Sequence, residues 1–150
     1  MPRLVVDTSI LIEYIVKSAP HRGRVVGLFE KASSGEFELY VSLITLSEAL
    51  YIASRIYGMA GARDPNGDAL DYILWVKGRT RVAKVDEDLA IRAGELRKLL
   101  GISLPDCYVI ATAEAVEAIP LFKGVEREME PILTGLKGLN VEFLEGFEGI

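Results

Sequence analysis

The chain has 150 residues, 50% apolar and 26% charged, with a net charge of −5 and one cysteine. That length predicts a single domain over residues 1–150, and the apolar share suffices for a real core. The negative balance argues against a protein that coats nucleic acid, while the lone Cys107 excludes an internal disulfide and fits a reducing compartment.

Asp7 interrupts the N-terminal apolar run before a signal-peptide core forms, and the longer apolar stretches are broken by Asp or Glu. No membrane span is expected, and a cytoplasmic location is. Glutamine is absent and only Asn66 and Asn140 carry side-chain amides, while Glu, Lys and Arg are plentiful. That balance leans towards a thermophile.

Leu4–Val6 reads as a strand buried on both faces. Asp7, Thr8 and Ser9 are helix-initiating types, and Ile10–Val16 reads as the helix they start. A second helix is expected over Arg24–Ala32, ending at Ser33-Ser34-Gly35. Phe37–Val41 reads as the second strand, and Ser42 as the cap of a long helix that carries Glu48 towards Tyr57. Gly58 to Gly67 is rich in breakers and reads as a connection before a helix over Asp68–Val76. Arg81–Val85 reads as the third strand. Asp86 caps a helix through Leu100 that Gly101 closes. Pro105 and Asp106 suit the first turn of a helix over Cys107–Ala118. Ile119–Phe122 is a fourth strand and Val141–Leu144 a fifth, at or near the end. Alternating strands and helices predict a three-layer α/β/α sandwich around a mostly parallel sheet of four to five strands.

Three acids stand beside apolar runs: Asp7 in LVVDTSILIEYI, Glu48 in SLITLSEALYIA and Asp106 in SLPDCYVIATA. Ligands of such sheets sit at the carboxyl ends of the strands, where all three acids can meet. Each has a structural alternative. Asp7 can simply cap its helix, Glu48 can pair with Arg55 or Arg97, and Asp106 can favour a helix N-terminus. Together they point to a divalent cation that offsets their repulsion, hence to metal-dependent chemistry on phosphate, and first to a nuclease.

Other chemistries fail on inventory. His21 stands alone among arginines, without a Ser–His–Asp arrangement, and Cys107 beside Asp106 reads as a small core residue. One Cys and one His argue against a structural zinc site, and no Gly-rich phosphate loop occurs. Asp64-Pro-Asn-Gly-Asp68 reads as a turn, since its spacing is wrong for a calcium loop. The basic clusters Lys77/Arg79/Arg81 and His21/Arg22/Arg24 read as solvated charge or as phosphate contacts. Tyr14, Tyr51, Tyr57 and Trp75 read as core or interface.

These segments resemble the PIN-domain family, and within it the VapC-type ribonuclease toxins of toxin–antitoxin pairs. VVDTSILIEYI is similar to the family's first motif, and SLITLSEAL to its second. VDEDLAIRAGELRKLLGISLPDCYVIATAEA is similar to its third region. The resemblance covers nearly the whole chain. It departs at the fourth motif, a Thr-x-Asp followed by an aromatic, where this chain reads IPLFKGVEREMEPI. One alignment sets Lys123 and Val125 on the Thr and Asp. A shift by one residue sets Glu126 on the Asp and Met129 on the aromatic. Glu126 is accordingly taken as an auxiliary acid, with Glu128 the weaker candidate.

The resemblance implies Mg²⁺- or Mn²⁺-dependent cleavage of RNA phosphodiesters. Asp7 and Asp106 would be metal ligands, and Glu48 would complete the set or orient a water. Thr8, Ser9 and Thr112 would order the carboxylates through hydrogen bonds. It also implies a homodimer and a small VapB-type antitoxin. Two other readings remain open: a PIN-like RNA- or protein-binding module that has lost its chemistry, and, ranked lowest, a phosphatase or a 5′ nuclease acting on DNA.

Overall fold

A computed structural model describes residues 1–148. Its first strand, β1 (Arg3–Val6), lies at the centre of the sheet. Helices α1 (Thr8–Ile15) and α2 (Arg22–Ser33) lead to β2 (Glu38–Ser42). Then α3 (Leu43–Met59) and α4 (Pro65–Lys77) lead to β3 (Arg81–Ala83), and α5 (Glu87–Leu100) and α6 (Leu104–Val116) lead to β4 (Ile119–Phe122). A 3-10 segment, Arg127–Ile132, and α7 (Leu133–Gly138) precede β5 (Glu142–Phe143). The strand order is β3-β2-β1-β4-β5, and every pairing is parallel.

The central strand explains the layering. Successive side chains of a strand point to opposite faces. Leu4 and Val6 enter one core with Leu39 and Val41 of β2, Leu121 of β4 and residues of α1 to α4. Val5 enters a second core with Phe122, residues of α5 and α6, and Met129. A strand buried on both sides has to be apolar throughout, which is why Leu4–Val6 carries no alternation. The chain runs from β1 to one side of the sheet and returns to its other side at β4. The strand order thus reverses between β1 and β4, and a crevice opens at their carboxyl ends.

The caps follow local chemistry. Asp7, Ser42, Asp86 and Ser103 each accept a hydrogen bond from a backbone N–H in the first turn of the helix they precede. Gly101 ends α5 at φ 73°, a left-handed conformation that costs glycine little.

Several boundaries differ from the sequence expectations. The stretch from Gly58 was expected to stay irregular to Gly67, yet α4 starts at Pro65. Asp64 caps it by accepting from Gly67 N at 3.0 Å, so the expected turn is a helix start. Helix α6 begins at Leu104 and ends two residues before Ala118, because Glu117 turns left-handed at φ 55°. The fifth strand shortens to Glu142–Phe143 as Leu144 enters a 3-10 turn. The structure between β4 and β5 had no counterpart in the sequence reading. Its anchor is Met129, fully buried in the second core, whose backbone N–H donates to Glu126 O at 2.9 Å.

Removing that anchor has a defined expectation. Met129→Ala should cost about 2–4 kcal/mol in urea unfolding, as for other buried Met truncations. Met59→Ala, at an exposed position, should stay within about 0.5 kcal/mol of wild type. Equal effects would show that the segment does not lean on Met129.

Candidate metal centre

The crevice at the carboxyl end of β1 and β4 is a recess of about 360 Å³ lined by Asp7, Glu48, Asp106, Glu126 and Glu128 among others. Asp7 directly follows β1, and its backbone N–H donates to Leu121 O of β4 at 3.0 Å. Its carboxylate caps α1: Oδ2 accepts from Ser9 N at 3.1 Å and from Ser9 Oγ at 2.6 Å. The same Ser9 Oγ accepts from Lys123 N at 3.2 Å, which ties the end of β4 to the start of α1. Asp106 enters from the first turn of α6, where Ser103 Oγ accepts from its backbone N–H at 3.4 Å. Glu126 comes from the loop after β4, directly before the 3-10 segment.

Carboxylate oxygens of Asp7, Asp106 and Glu126 all lie within 4.8 Å of one another. Asp7 and Asp106 are buried, and Glu126 is exposed. Like charges at that separation, held out of water, favour protonation. Burial raises the Asp7 carboxyl above its ordinary range, its bonds from Ser9 pull the other way, and nearby Glu48 adds to the rise. Asp106 is pushed up to about 8, by burial first and then by the charges of Asp7 and Glu126. Glu126, though open to solvent, is partly shielded on its recess side, and that shielding, then Asp7 and Glu128, raises its carboxyl. Asp106 Oδ2 is buried and has no hydrogen-bond partner among the described residues. Buried polar atoms rarely stay unpaired unless a further ligand belongs there.

The donor set therefore fits a divalent cation. It consists of hard carboxylate oxygens that converge, repel one another and leave one buried oxygen unclaimed. Softer metals have no partner here: among the described residues lining the recess there is no histidine or cysteine, and Cys107, fully buried, has its thiol raised to about 11, chiefly by burial and by Asp106.

Expected site residues meet in this recess with different contacts. Asp7 and Asp106 belong to the tight group, and its third member is Glu126, read from sequence only as an auxiliary acid. Glu48 lines the same recess from α3, but its Oε1 accepts the Thr8 hydroxyl, and it stands outside that tight group. Among the described residues Glu48 forms no ion pair, so the expected alternatives, Arg55 and Arg97, do not hold it. Thr8 and Ser9 do order carboxylates, as expected. Thr112 does not: it is fully buried and its hydroxyl has no partner among the described residues.

Among the described residues lining the recess there is no arginine of either basic cluster. Arg22 Nε donates to Tyr14 O at 2.7 Å, and Arg24 donates to Glu145 O at 2.9 Å. Arg79 lies 4.1 Å over the Trp75 ring, and Arg81 pairs with Glu38 at 2.7 Å. Tyr14 and Trp75 stack at 4.5 Å between ring centroids against the first core, whereas Tyr51 is exposed. Sequence reasoning missed Glu13 and the charge of Lys123. Glu13 is buried on α1, and Lys123 lines the recess. The available signal was a lone acid within the apolar run LIEYI.

A family model for the PIN domain matches residues 4–123. A search of curated proteins finds no match. Among solved structures, DNA-bound VapBC from Salmonella typhimurium aligns at TM-score 0.67 and 22% identity over 96% of this chain and 99% of that one. VapC20 from Mycobacterium tuberculosis, described as a sarcin–ricin loop cleaving toxin, aligns at TM-score 0.64 and 17% identity, over 85% and 93% of the two chains. PAE2754 from Pyrobaculum aerophilum aligns at TM-score 0.56 and 19% identity, over 92% and 96%. At these identities the structures establish a shared fold.

The raised carboxyls set a pH dependence. In metal-free protein Asp106 holds its proton to about pH 8, whereas an unfolded carboxyl loses it near 3.8. Between those values the native state binds more protons, so this contribution to stability is complete below about pH 4 and is lost as pH rises through about 8. The Tm in EDTA should fall across that window, and Asp106→Asn should flatten the fall. Millimolar Mn²⁺ should raise the wild-type Tm, more at pH 8 than at pH 5. No Mn²⁺ shift at either pH would contradict a formed site.

Proposed function

The chain belongs to the PIN-domain family, and from that membership we propose that it is a metal-dependent endoribonuclease, the toxin of a toxin–antitoxin pair. The observation that carries the reading is the convergence of Asp7, Asp106 and Glu126 at the strand ends, with one buried carboxylate oxygen unpaired. Mg²⁺ or Mn²⁺ is the proposed cofactor, because both accept a few carboxylates and keep open positions for phosphate oxygens. Bound there, a divalent cation supplies Lewis acidity towards a phosphate oxygen and acidifies water near neutral pH.

In this reading Asp7, Asp106 and Glu126 hold the cation. Glu48, fixed by Thr8, faces the same recess and is available to orient or deprotonate the attacking water. Ser9 keeps Asp7 aimed by donating to Oδ2 and by accepting from the Lys123 backbone. A cation held by these acids would offset the negative charge that develops on the phosphate oxygens, charge that the carboxylates by themselves would disfavour.

The proposed partner is a small antitoxin, and the support is that the solved structures sharing this fold include a toxin–antitoxin complex from Klebsiella pneumoniae as well as DNA-bound VapBC. A homodimer belongs to the same reading. Leu70 and Leu74, one turn apart on α4, and Met59 at the end of α3 are exposed apolar side chains that an interface would cover. Among the described residues no helix is long and apolar enough to cross a membrane, and the cytoplasm is the proposed compartment.

Labelled single-stranded RNA and transfer RNA, incubated with Mg²⁺, Mn²⁺ or EDTA, test the activity. Cleavage should require metal, and Asp106→Asn should keep the fold while lowering the rate at least a hundredfold, on the order of losing one key catalytic group. Equal cleavage by both proteins would mean that the activity does not belong to this site. RNA binding without metal and without cleavage would instead favour a binding module.

A further inference from the structure

The proposed site has an electrostatic problem that the metal alone does not solve. Its recess is walled by Asp7, Glu48, Asp106, Glu126 and Glu128, in a chain of net charge −5. A polyanion has to approach that wall. Among the described residues lining the recess one side chain is basic, Lys123.

Lys123 directly follows β4, where the strand order reverses, and its backbone N–H already donates to Ser9 Oγ at 3.2 Å. The main chain at this point is therefore fixed relative to Asp7, which Ser9 also holds. Its ammonium lies 3.5 Å from Glu13 Oε1, with the Lys123 side chain 43% exposed and that of Glu13 only 6%. Glu13 Oε2 accepts from His21 N at 2.8 Å, which pins the carboxylate to the start of α2. A separation of 3.5 Å is long for a charge-assisted hydrogen bond, and an ammonium has three donors. Lys123 thus keeps donors for another anion, on a stem that a buried acid holds near the recess.

We propose that Lys123 is a phosphate-binding residue of this site, contacting the RNA backbone beside the acidic group, and that buried Glu13 is the positioning residue that aims its ammonium. This rests on the ribonuclease reading above. It assigns the approach of substrate to one side chain, whereas the arginines of both basic clusters bind carbonyls, a ring or Glu38. A phosphate contact has a signature that a structural ion pair lacks. Each phosphate neutralised on single-stranded nucleic acid adds about 0.7 to the log–log dependence of affinity on salt.

The test is steady-state cleavage of a labelled single-stranded RNA with Mn²⁺ over a range of salt, with thermal melts alongside. Lys123→Met alone would leave Glu13 without its cation, so the decisive variant is the pair Glu13→Gln/Lys123→Met, which removes both charges. The pair should melt near wild type, raise KM about tenfold, as for the loss of one charge-assisted hydrogen bond, and lower the salt slope of kcat/KM by about 0.7. Lys123→Arg should keep the slope. Glu13→Gln alone should raise KM but also keep the slope, because the ammonium remains. If wild type cleaves and the double variant shows unchanged KM and salt slope, Lys123 serves only Glu13 and the proposal fails while the ribonuclease reading stands. If wild type cleaves no RNA, both fail.

Discussion

Three carboxylates share a space less than 5 Å across at the mouth of a parallel sheet, and two of them are cut off from water. Charges in that position repel one another strongly, since burial weakens the screening that water would provide. A fold keeps such a group only if something positive is available, or if protons neutralise part of it. The raised Asp106 carboxyl is the metal-free solution to this constraint. A bound divalent cation is the other, and it also uses the buried oxygen that has no protein partner. Much of the surrounding structure can be understood as holding that unstable group in place.

The holding is done by short bonds between elements that the topology brings side by side. Strand β1 carries Asp7 to the switch point, and Leu121 of β4 accepts its backbone N–H. Ser9 touches both Asp7 and the main chain of Lys123, while Thr8, its neighbour on α1, fixes Glu48 across from α3. Consecutive residues of one helix turn thus serve two acids from different segments. Met129, buried in the second core, donates its backbone N–H to Glu126 O and so anchors the segment that presents Glu126. Around this core, the side chains of several surface cations are committed to carbonyls, rings or Glu38, which leaves the charge near the recess dominated by acids and Lys123.

Much of this was legible in the sequence because the signals were local. The apolar triplet of β1, the caps Ser42 and Asp86, and the closing Gly101 each announce themselves within a few residues. Asp7 and Asp106 were legible for the same reason, as acids placed where strands end or helices start. The segment after β4 was not. Its Pro131 and clustered glutamates carry no helical or strand period, and it is ordered by Met129 reaching a distant core. That Glu126 stands with Asp7 and Asp106 while Glu48 takes the Thr8 hydroxyl was hidden for a related reason. Thr8 donates its hydroxyl to Glu48, and spacing along the chain does not encode that contact. Glu13 was passed over because its partners, His21 N and Lys123, come from separate loops.

The central claim is that the acidic group is a divalent-cation site poised by protonation. Calorimetric titration of metal-free protein with Mn²⁺ at pH 7, repeated in buffers of different ionisation enthalpy, measures both binding and the protons released. Because burial and mutual repulsion hold the Asp106 carboxyl, and with it Asp7 and Glu126, above the ordinary range without metal, binding should release protons, and Asp106→Asn should lower that release. Saturable binding with no proton release, or no binding at millimolar Mn²⁺, would contradict the account.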